Sequence, residues 1–150
     1  MANIVPYAFP KELLTGTHNF ANGGNAFKLA LYASNPYSTG STVYVTTNEV
    51  SSAGGSQYTA GGNALTGQAV SNVNDVATVD FTDSVWGSGT PASFTAAFGT
   101  IYNDTNSDKL VVVLDFGGSK TCSNGTFTVT FPSPTSGSPS GSAAILSITS

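Results

Sequence analysis

Apolar and polar residues alternate along much of the chain with a period of two. The clearest case is FKLALY at 27–32, where Phe27, Leu29 and Leu31 share one side. A period of two is typical of a β-strand. Seven further segments have a strand-like composition and are separated by residues rich in Gly, Asn, Ser and Pro. They are Thr42–Thr46, Ala64–Val70, Ala77–Thr82, Ser93–Tyr102, Leu110–Phe116, Thr126–Phe131 and Ala143–Thr149.

A helical pattern is present only near the start. In the segment Phe9–Gly16, Pro10 suits a first helical position and Gly16 the position just past the end. We expect about two turns of helix, held on the β core by Leu13 and Leu14. The sequence therefore predicts an all-β fold: an antiparallel β-sandwich, Greek-key or jelly-roll-like, with about eight strands and one short N-terminal helix.

Turn residues indicate how the strands connect. The polar segment 103–109 predicts a hairpin, and the segment 117–125 predicts a loop that ends in an Asn-Gly turn. The strand Leu110–Leu114 is apolar on both sides, which favours a central position. A Gly/Ser-rich stretch at 52–62 and a Pro/Ser/Gly connector at 132–142 are interpreted as loose loops. We expect residues 1–150 to form a single domain.

Charged residues are scarce, and their scarcity limits which partners the surface can bind. They make up 8% of the sequence, with a net charge of −4, against about 25% in ordinary soluble domains. Ser, Thr, Asn and 17 glycines supply the polarity, which suits a protein packed against protein neighbours; a secreted β domain is the alternative. The four lysines are scattered and arginine is absent, so we predict neither nucleic-acid nor membrane binding.

Other features bear on location. No basic segment followed by an apolar stretch opens the sequence, so a secretory signal is not predicted. The single Cys122 cannot form an internal disulfide, which fits synthesis in a reducing cytoplasm.

Few residues could support catalysis or bind a metal. His18 is the only histidine, either a general base or a hydrogen-bonded loop residue. Cys122 follows Lys120 closely but has no partner cysteine for a redox role. Asp75, Asp80 and Asp83 lie close in sequence without the spacing of a calcium loop. We therefore predict no enzyme, no cofactor and no metal site.

Aromatic and apolar residues are the candidates for a protein interface. The extended segment Ala2–Phe9 could reach a neighbour as an arm or form an edge strand of its own domain. Tyrosines together with Trp86 could instead form a carbohydrate platform, although β-propensity alone would supply six tyrosines, and Trp86 could equally belong to the core. The candidate interface residues are Ile4, Val5, Tyr7, Phe9, Tyr37, Tyr58 and Trp86.

Several segments occur in a recognisable order. They are KELLTG at 11–16, NAFKLALYAS at 25–34, TNEV at 47–50, YTAGG at 58–62, VDF at 79–81, IYN at 101–103, VLDF at 113–116 and NGTFTVTF at 124–131. This series resembles small virion-associated structural proteins of tailed bacteriophages, and the resemblance covers nearly the whole chain.

The resemblance implies a capsid decoration or cement protein. Such a protein would bind and stabilise the shell of the major capsid protein, form a homo-oligomer, and lie on the capsid surface of a virion assembled in the host cytoplasm. Three alternatives stay open: a phage tail or fibre component that recognises host carbohydrate, a secreted lectin-like domain, and a hydrolase.

Overall fold

The computed structural model describes residues 2–73, 76–132 and 145–149. It confirms an all-β, antiparallel fold with one short helix, α1 (Ala8–Leu14). Within the described residues there are nine strands, against about eight predicted. In chain order they are β1 (Phe27–Tyr32), β2 (Asn63–Ala64), β3 (Ala69–Val73), β4 (Val76–Asp80), β5 (Ser84–Trp86), β6 (Ala92–Asn103), β7 (Lys109–Gly125), β8 (Phe127–Val129) and β9 (Leu146–Thr149).

The main sheet has four strands in the order β2-β1-β6-β7. Its two longest strands, β6 and β7, form a hairpin that was predicted from the polar segment 103–109 and is confirmed by the pairing of Asn103 with Lys109. Ser107 and Asp108 occupy positive φ angles in the turn, a conformation that Asp tolerates and that lets the chain reverse.

This four-stranded sheet is covered by apolar side chains on both faces. Phe27, Leu29 and Leu31 enter a large core cluster, whereas Ala30 and Tyr32 of the same strand enter a second, smaller one. All five are buried. Burial of this apolar area is the main source of stability of such a sheet.

The predicted central position of Leu110–Leu114 is wrong. Residues 110–113 are buried and Leu114 is half-buried, but their strand β7 is the last in the sheet order. Short stretches of chain, not a further strand, pair with its outer edge: Ile4 bridges to Val113, and Val43 bridges to Lys109. An edge strand buried by coil has the same apolar pattern as a central strand, so periodicity could not separate the two.

Strand β7 also continues through the predicted loop at 117–125. Ala96 pairs with Lys120 and Phe98 with Asp115, so residues 116–119 stand opposite Ala97 as a large bulge. Gly117 and Gly118 adopt positive φ there, and the strand resumes beyond them. Asn124 has a positive φ as expected, but the chain then enters β8, which pairs with β5 and not with β7.

Two smaller sheets complete the described strands: β3-β4-β9 and β5-β8. The predicted strand Ala64–Val70 is divided between β2 and β3 by a turn at Gly67, which has a φ of +65°. The strands thus belong to three hydrogen-bonded sheets, and the two-sheet sandwich stays a prediction. The single domain over 1–150 stays a prediction as well.

Two predictions about the segment 42–62 need correction. Residues 42–46 form no strand beyond the Val43 bridge. The backbone N–H of Val45 donates a hydrogen bond to the hydroxyl of Tyr37 and not to a neighbouring strand. The Gly/Ser-rich stretch 52–62 is not loose throughout, since Tyr58 is buried and its hydroxyl accepts a hydrogen bond from the N–H of Leu31 at 3.0 Å. The connector 132–142 lies outside the described residues except for Pro132.

Candidate functional site

An apolar groove of about 560 Å³ lies between the N-terminal helix and the three-stranded sheet. One wall is formed by Val5 and α1, and the other by β3, β4 and β9. Phe20 and His18 line the groove between the two walls. A concave, mostly apolar surface of this size is the usual form of a binding site.

The sheet wall is apolar because of strand register. Val79 of β4 pairs with Val70 on one side and Leu146 on the other, and Ala77 pairs with Ile148 in the next row on the same face. Side chains two residues apart share one face of a strand. Val70 and Ile148 remain 56% and 59% exposed, so this face is only partly covered by the rest of the chain.

The helix wall follows from a spacing of four. Phe9 and Leu13 lie on the same side of α1, where Phe9 is buried and Leu13 packs against the core. Pro10 lies within the first turn, where a missing N–H costs no helical hydrogen bond. The expectation that Leu14 helps to hold the helix on the core is wrong, because Leu14 is 88% exposed. It lies about 100° around the helix from Leu13, which turns it away.

Beside the groove, His18 is a structural residue. Its Nε2 lies 3.1 Å from Oε2 of Glu12, and its Nδ1 lies 3.1 Å from Nδ2 of Asn103. Because the amide nitrogen of Asn103 can only donate, this pairing places the imidazole proton on Nε2. The ring packs among Phe9, Phe20 and Phe27. With both nitrogens engaged, His18 corresponds to the hydrogen-bonded alternative of the sequence analysis.

Burial sets the protonation behaviour of this cluster. Desolvation lowers the pKa of His18, although the neighbouring Glu12 opposes the shift. Burial acts on Glu12 to raise its pKa, but hydrogen bonds from Lys109 and His18 together outweigh it and lower that pKa. The Nζ of Lys109 lies 2.6 Å from Oε1 of Glu12. A neutral imidazole is therefore favoured beside the groove at neutral pH.

The seven predicted interface residues divide into two groups. Four of them are buried: Phe9, Tyr37, Tyr58 and Trp86. The structure corrects the prediction for Tyr37, Tyr58 and Trp86, which are buried and do not line the groove, whereas Phe9 forms part of the groove wall. Each fills space inside the fold, as large aromatic side chains commonly do. Of the others, Tyr7 is 77% exposed and Val5 is 44% exposed.

The arm Ala2–Phe9 lies along its own domain. Ile4 and Val113 exchange two backbone hydrogen bonds, of 2.9 and 2.8 Å. The N–H of Asp115 donates to Oδ1 of Asn3, and the N–H of Tyr7 donates to the carbonyl of Thr39. The edge-strand alternative thus describes this structure at Ile4, while the exposed Val5 and Tyr7 stay candidates for contact with a partner.

The tyrosines do not form a surface platform. Tyr32, Tyr37, Tyr58 and Tyr102 are buried together with Trp86, and of the six tyrosines only Tyr7 is strongly exposed. Stacking of a sugar ring needs an accessible aromatic face.

Most of the buried hydroxyls take part in internal bonding. Glu49 accepts hydrogen bonds of 2.6 Å from the hydroxyls of both Tyr44 and Tyr58, and one of 2.7 Å from the N–H of Gly61. Tyr102 donates to the carbonyl of Gly61. These tyrosines therefore hold the segment 44–62 against the main sheet.

The other candidate residues also have structural partners. Oδ1 of Asp83 accepts a hydrogen bond from the N–H of Phe131, and Cys122 is buried with its thiol directed at the carbonyl of Ala92. Asp75 lies outside the described residues. Over residues 2–73, 76–132 and 145–149, no three His, Cys, Asp or Glu side chains cluster as metal ligands would. In the same residues no helix is long and apolar enough to cross a membrane.

Sequence reasoning missed the groove itself. Its most exposed large hydrophobic residues, Val70 and Ile148, lie in segments that the sequence predicts only as strands. The signal was present on β9, where Leu146 and Ile148 alternate with the polar Ser147 and Thr149 and predict one apolar face. On β3 the sequence predicts no such face, because Val70 shares its side of the strand with the polar Asn72. That these strands align and lack a full cover depends on sheet order, which one sequence does not reveal.

No family model, curated protein or solved structure matches this chain.

Proposed function

We propose that this chain is a structural virion protein of a tailed bacteriophage. In this proposal it decorates the capsid as a cement protein and stabilises the shell of the major capsid protein. The ordered series of segments that resembles virion-associated proteins supports the phage context, and the apolar groove supports a role in protein association.

The groove is the observation that carries the proposal. Among the described residues none that lines it is Asp, Glu, Lys or Arg, and the exposed apolar residues Val5, Val70 and Ile148 all line it. Scattered exposed apolar residues are ordinary, whereas contiguous ones with a polar surround mark binding surfaces. An uncharged groove disfavours phosphate-rich partners and favours an apolar protein surface.

The remaining surface fits repeated docking in a particle. Along the distal part of β6 and β7, exposed hydroxyls face outward, and Thr95 and Thr121 bond to each other across the strands at 2.8 Å. Such a surface offers hydrogen bonds without strong charge, so identical copies can lie close together with little repulsion.

Particle reconstruction tests the location directly. We expect purified virions of a phage that encodes this sequence to contain the chain, and density for it to repeat on the capsid lattice. Density restricted to the tail would overturn the capsid role and favour the tail or fibre alternative. Absence from the virion would overturn the virion role altogether.

Particle stability tests the cement role. Virions assembled without this protein should release their DNA at a lower temperature than complete virions, and adding the purified protein back should restore the difference. A chain that decorates the capsid without changing the release temperature would not be a cement protein. A chain carrying Val43→Asp serves as a control in the add-back experiment. It should restore the release temperature as the wild-type chain does, because Val43 is exposed but does not line the groove.

A further inference from the structure

The two-stranded sheet β5-β8 has one covered edge and one free edge. On the outer side of β5, Nδ2 of Asn63 donates to the carbonyl of Val85 at 3.0 Å, so a residue of β2 occupies that edge. Strand β8 pairs with β5 alone, and no backbone group of the described residues bonds to its other side. An unpaired strand edge offers donors and acceptors that another extended chain can fill.

The register shows which groups of β8 are free. Val85 lies opposite Thr128 in the ladder, and since the carbonyl of Val85 points to Asn63, this is a pair without mutual hydrogen bonds. The N–H and carbonyl of Thr128 therefore point away from β5. The N–H of Phe131, three residues on, points the opposite way and donates to Oδ1 of Asp83 at 2.9 Å, as the alternation of an extended chain requires.

A cleft of about 390 Å³ follows this free edge. We call it the β8 cleft, and it is lined by Phe116, Lys120, Phe127, Thr128, Val129 and Thr130. Four of these residues are consecutive, although neighbouring side chains of a strand point to opposite faces. A cleft in contact with all four must therefore run along the edge of β8 and not over one face.

The opposite wall of the β8 cleft adds apolar surface and one charge. Phe116 of β7 lies with its ring centroid 6.3 Å from that of Phe127. Lys120 is exposed and is the only charged residue among the described ones that line the cleft. The ion pairs formed by the described residues leave Lys120 without a carboxylate partner. The cleft thus complements a chain that carries apolar and acidic side chains.

We propose that the β8 cleft binds an extended segment of a partner protein, which adds to β8 as a third strand and pairs an acidic residue with Lys120. Backbone hydrogen bonds to Thr128 and Thr130 hold the added strand. Its alternate apolar side chains contact Phe116 and Phe127, and these contacts together with the carboxylate select the sequence.

The free edge favours a partner segment over exchange between copies of this chain. The extended segment best placed for exchange, the arm Ala2–Phe9, is already bonded to β7 through Ile4 and Val113. Strand β8 is only three residues long and has a lysine beside it, which limits indiscriminate pairing. The inference depends neither on the groove beside α1 nor on the capsid location, because binding is measured on the purified chain.

NMR titration of the isotope-labelled chain with synthetic peptides tests the β8 cleft. The probes are heptapeptides in which Val, Leu or Phe alternates with Thr and one central Thr is replaced by Asp. At least one should bind with a dissociation constant of about 1 mM or tighter. It should shift the amide signals of Thr128 and Thr130 and slow their hydrogen exchange. Peptides with Lys in place of Asp should bind about fivefold more weakly, because they lose the ion pair.

Two pairs of variants separate backbone pairing from charge. Thr128→Pro removes the outward N–H and should abolish binding, whereas Thr128→Ala keeps that N–H and should bind as the wild type does. Lys120→Glu should reverse the preference between the Asp and Lys peptides. The matched control is Lys11→Glu, which makes the same change at an exposed lysine outside the cleft and should leave the preference unchanged.

A peptide control covers the case in which Thr128→Pro does not fold. The same heptapeptides with every backbone amide N-methylated lose all their strand donors, and they should not bind the wild-type chain.

Several outcomes would overturn the inference. If no peptide of the series binds at about 1 mM, or if the N-methylated peptides bind equally well, β8 does not take up a strand. Signal shifts confined to residues outside the β8 cleft would place binding elsewhere. Signals of Thr128 and Thr130 that change with protein concentration, without peptide, would mean that a second copy occupies the edge.

Discussion

The four-stranded sheet and the three-stranded sheet use apolar residues in opposite ways. In the sheet β2-β1-β6-β7, residues such as Leu31 and Ile101 are fully buried, and two core clusters cover its faces. In the sheet β3-β4-β9, Val70 and Ile148 remain more than half exposed beside the groove. The first sheet therefore stabilises the fold, and the second offers a surface. The same residue type should then have very different effects in the two places.

The largest expected difference comes from one pair of isoleucines. Ile101→Ala should lower the free energy of unfolding by about 2–5 kcal/mol, because it opens a cavity in a closed core. Ile148→Ala should change it by less than about 1 kcal/mol in the monomer, since the side chain already contacts water. Urea unfolding at low protein concentration measures both. Equal losses would show that the two sheets do not differ as described.

Two glycines allow a comparison between a position packed against the main sheet and one in an open loop. A Cβ at Gly62 would overlap the carbonyl oxygen of Leu29, and the residue has a φ of +77°. Gly54 has a similar φ of +67°, but a Cβ there would meet nothing within 4 Å. Gly54→Ala should therefore cost only the backbone strain, about 1 kcal/mol. Gly62→Ala should cost clearly more, because the backbone itself must move; thermal unfolding of the two variants tests this order.

The Glu49 cluster tests how far the main sheet depends on the segment around it. Glu49→Gln replaces a carboxylate that accepts two tyrosine hydroxyls and one backbone N–H, and should cost about 1–3 kcal/mol. Asp104→Asn is the control, since the side chain of Asp104 forms a surface ion pair with Lys28 and such pairs contribute at most about 1 kcal/mol. If the two variants unfold alike, the cluster does not stabilise the segment 44–62.

The smallest effect should be a dependence on pH at the junction of the two regions. The pKa of His18 is lowered in the folded chain, so the unfolded chain binds more protons as the pH falls below about 6.5. Stability should then decrease from pH 7 to pH 5. Because the pKa of Glu12 is also lowered, a further decrease should follow below about pH 4.3.

The variant His18→Gln isolates the first part of this dependence. Since His18 is the only histidine, the variant should be less stable overall but nearly independent of pH between 5 and 7. Unfolding midpoints measured across that range in both proteins provide the check. A slope that persists in the variant would have to come from another group.

Sequence patterns predicted the strands better than their arrangement. The strand at Phe27–Tyr32 and the hairpin at 103–109 followed from local periodicity and turn residues. The position of β7 at the end of its sheet did not, because burial by the coil at Ile4 produces the same apolar run as burial by a strand. The bulge at Gly117 and Gly118 has the composition of a loop, since glycine pairs occur in both.

The position of the groove was not predictable from the sequence. Low charge and apolar side chains predict a protein interface, which stays a prediction, and two of the residues named for it, Val5 and Tyr7, are exposed, with Val5 lining the groove. Trp86, Tyr58 and Tyr37 are buried, and their large side chains fill space between the sheets and loops. Composition cannot assign an aromatic residue to core or surface, since both environments favour it.

The bridge between Ile4 and Val113 affects more than the position of the N-terminal arm. An open strand edge invites indiscriminate pairing with other chains, which leads to aggregation. Here Ile4 and Asn3 occupy the outer edge of β7, and the opposite edge of the same sheet is β2, only two residues long. The main sheet is thereby shielded against fibril-like growth along residues 109–115 of β7 and at the short strand β2. For a chain with so little charge to oppose association, this cover of the strand edges removes one route to aggregation.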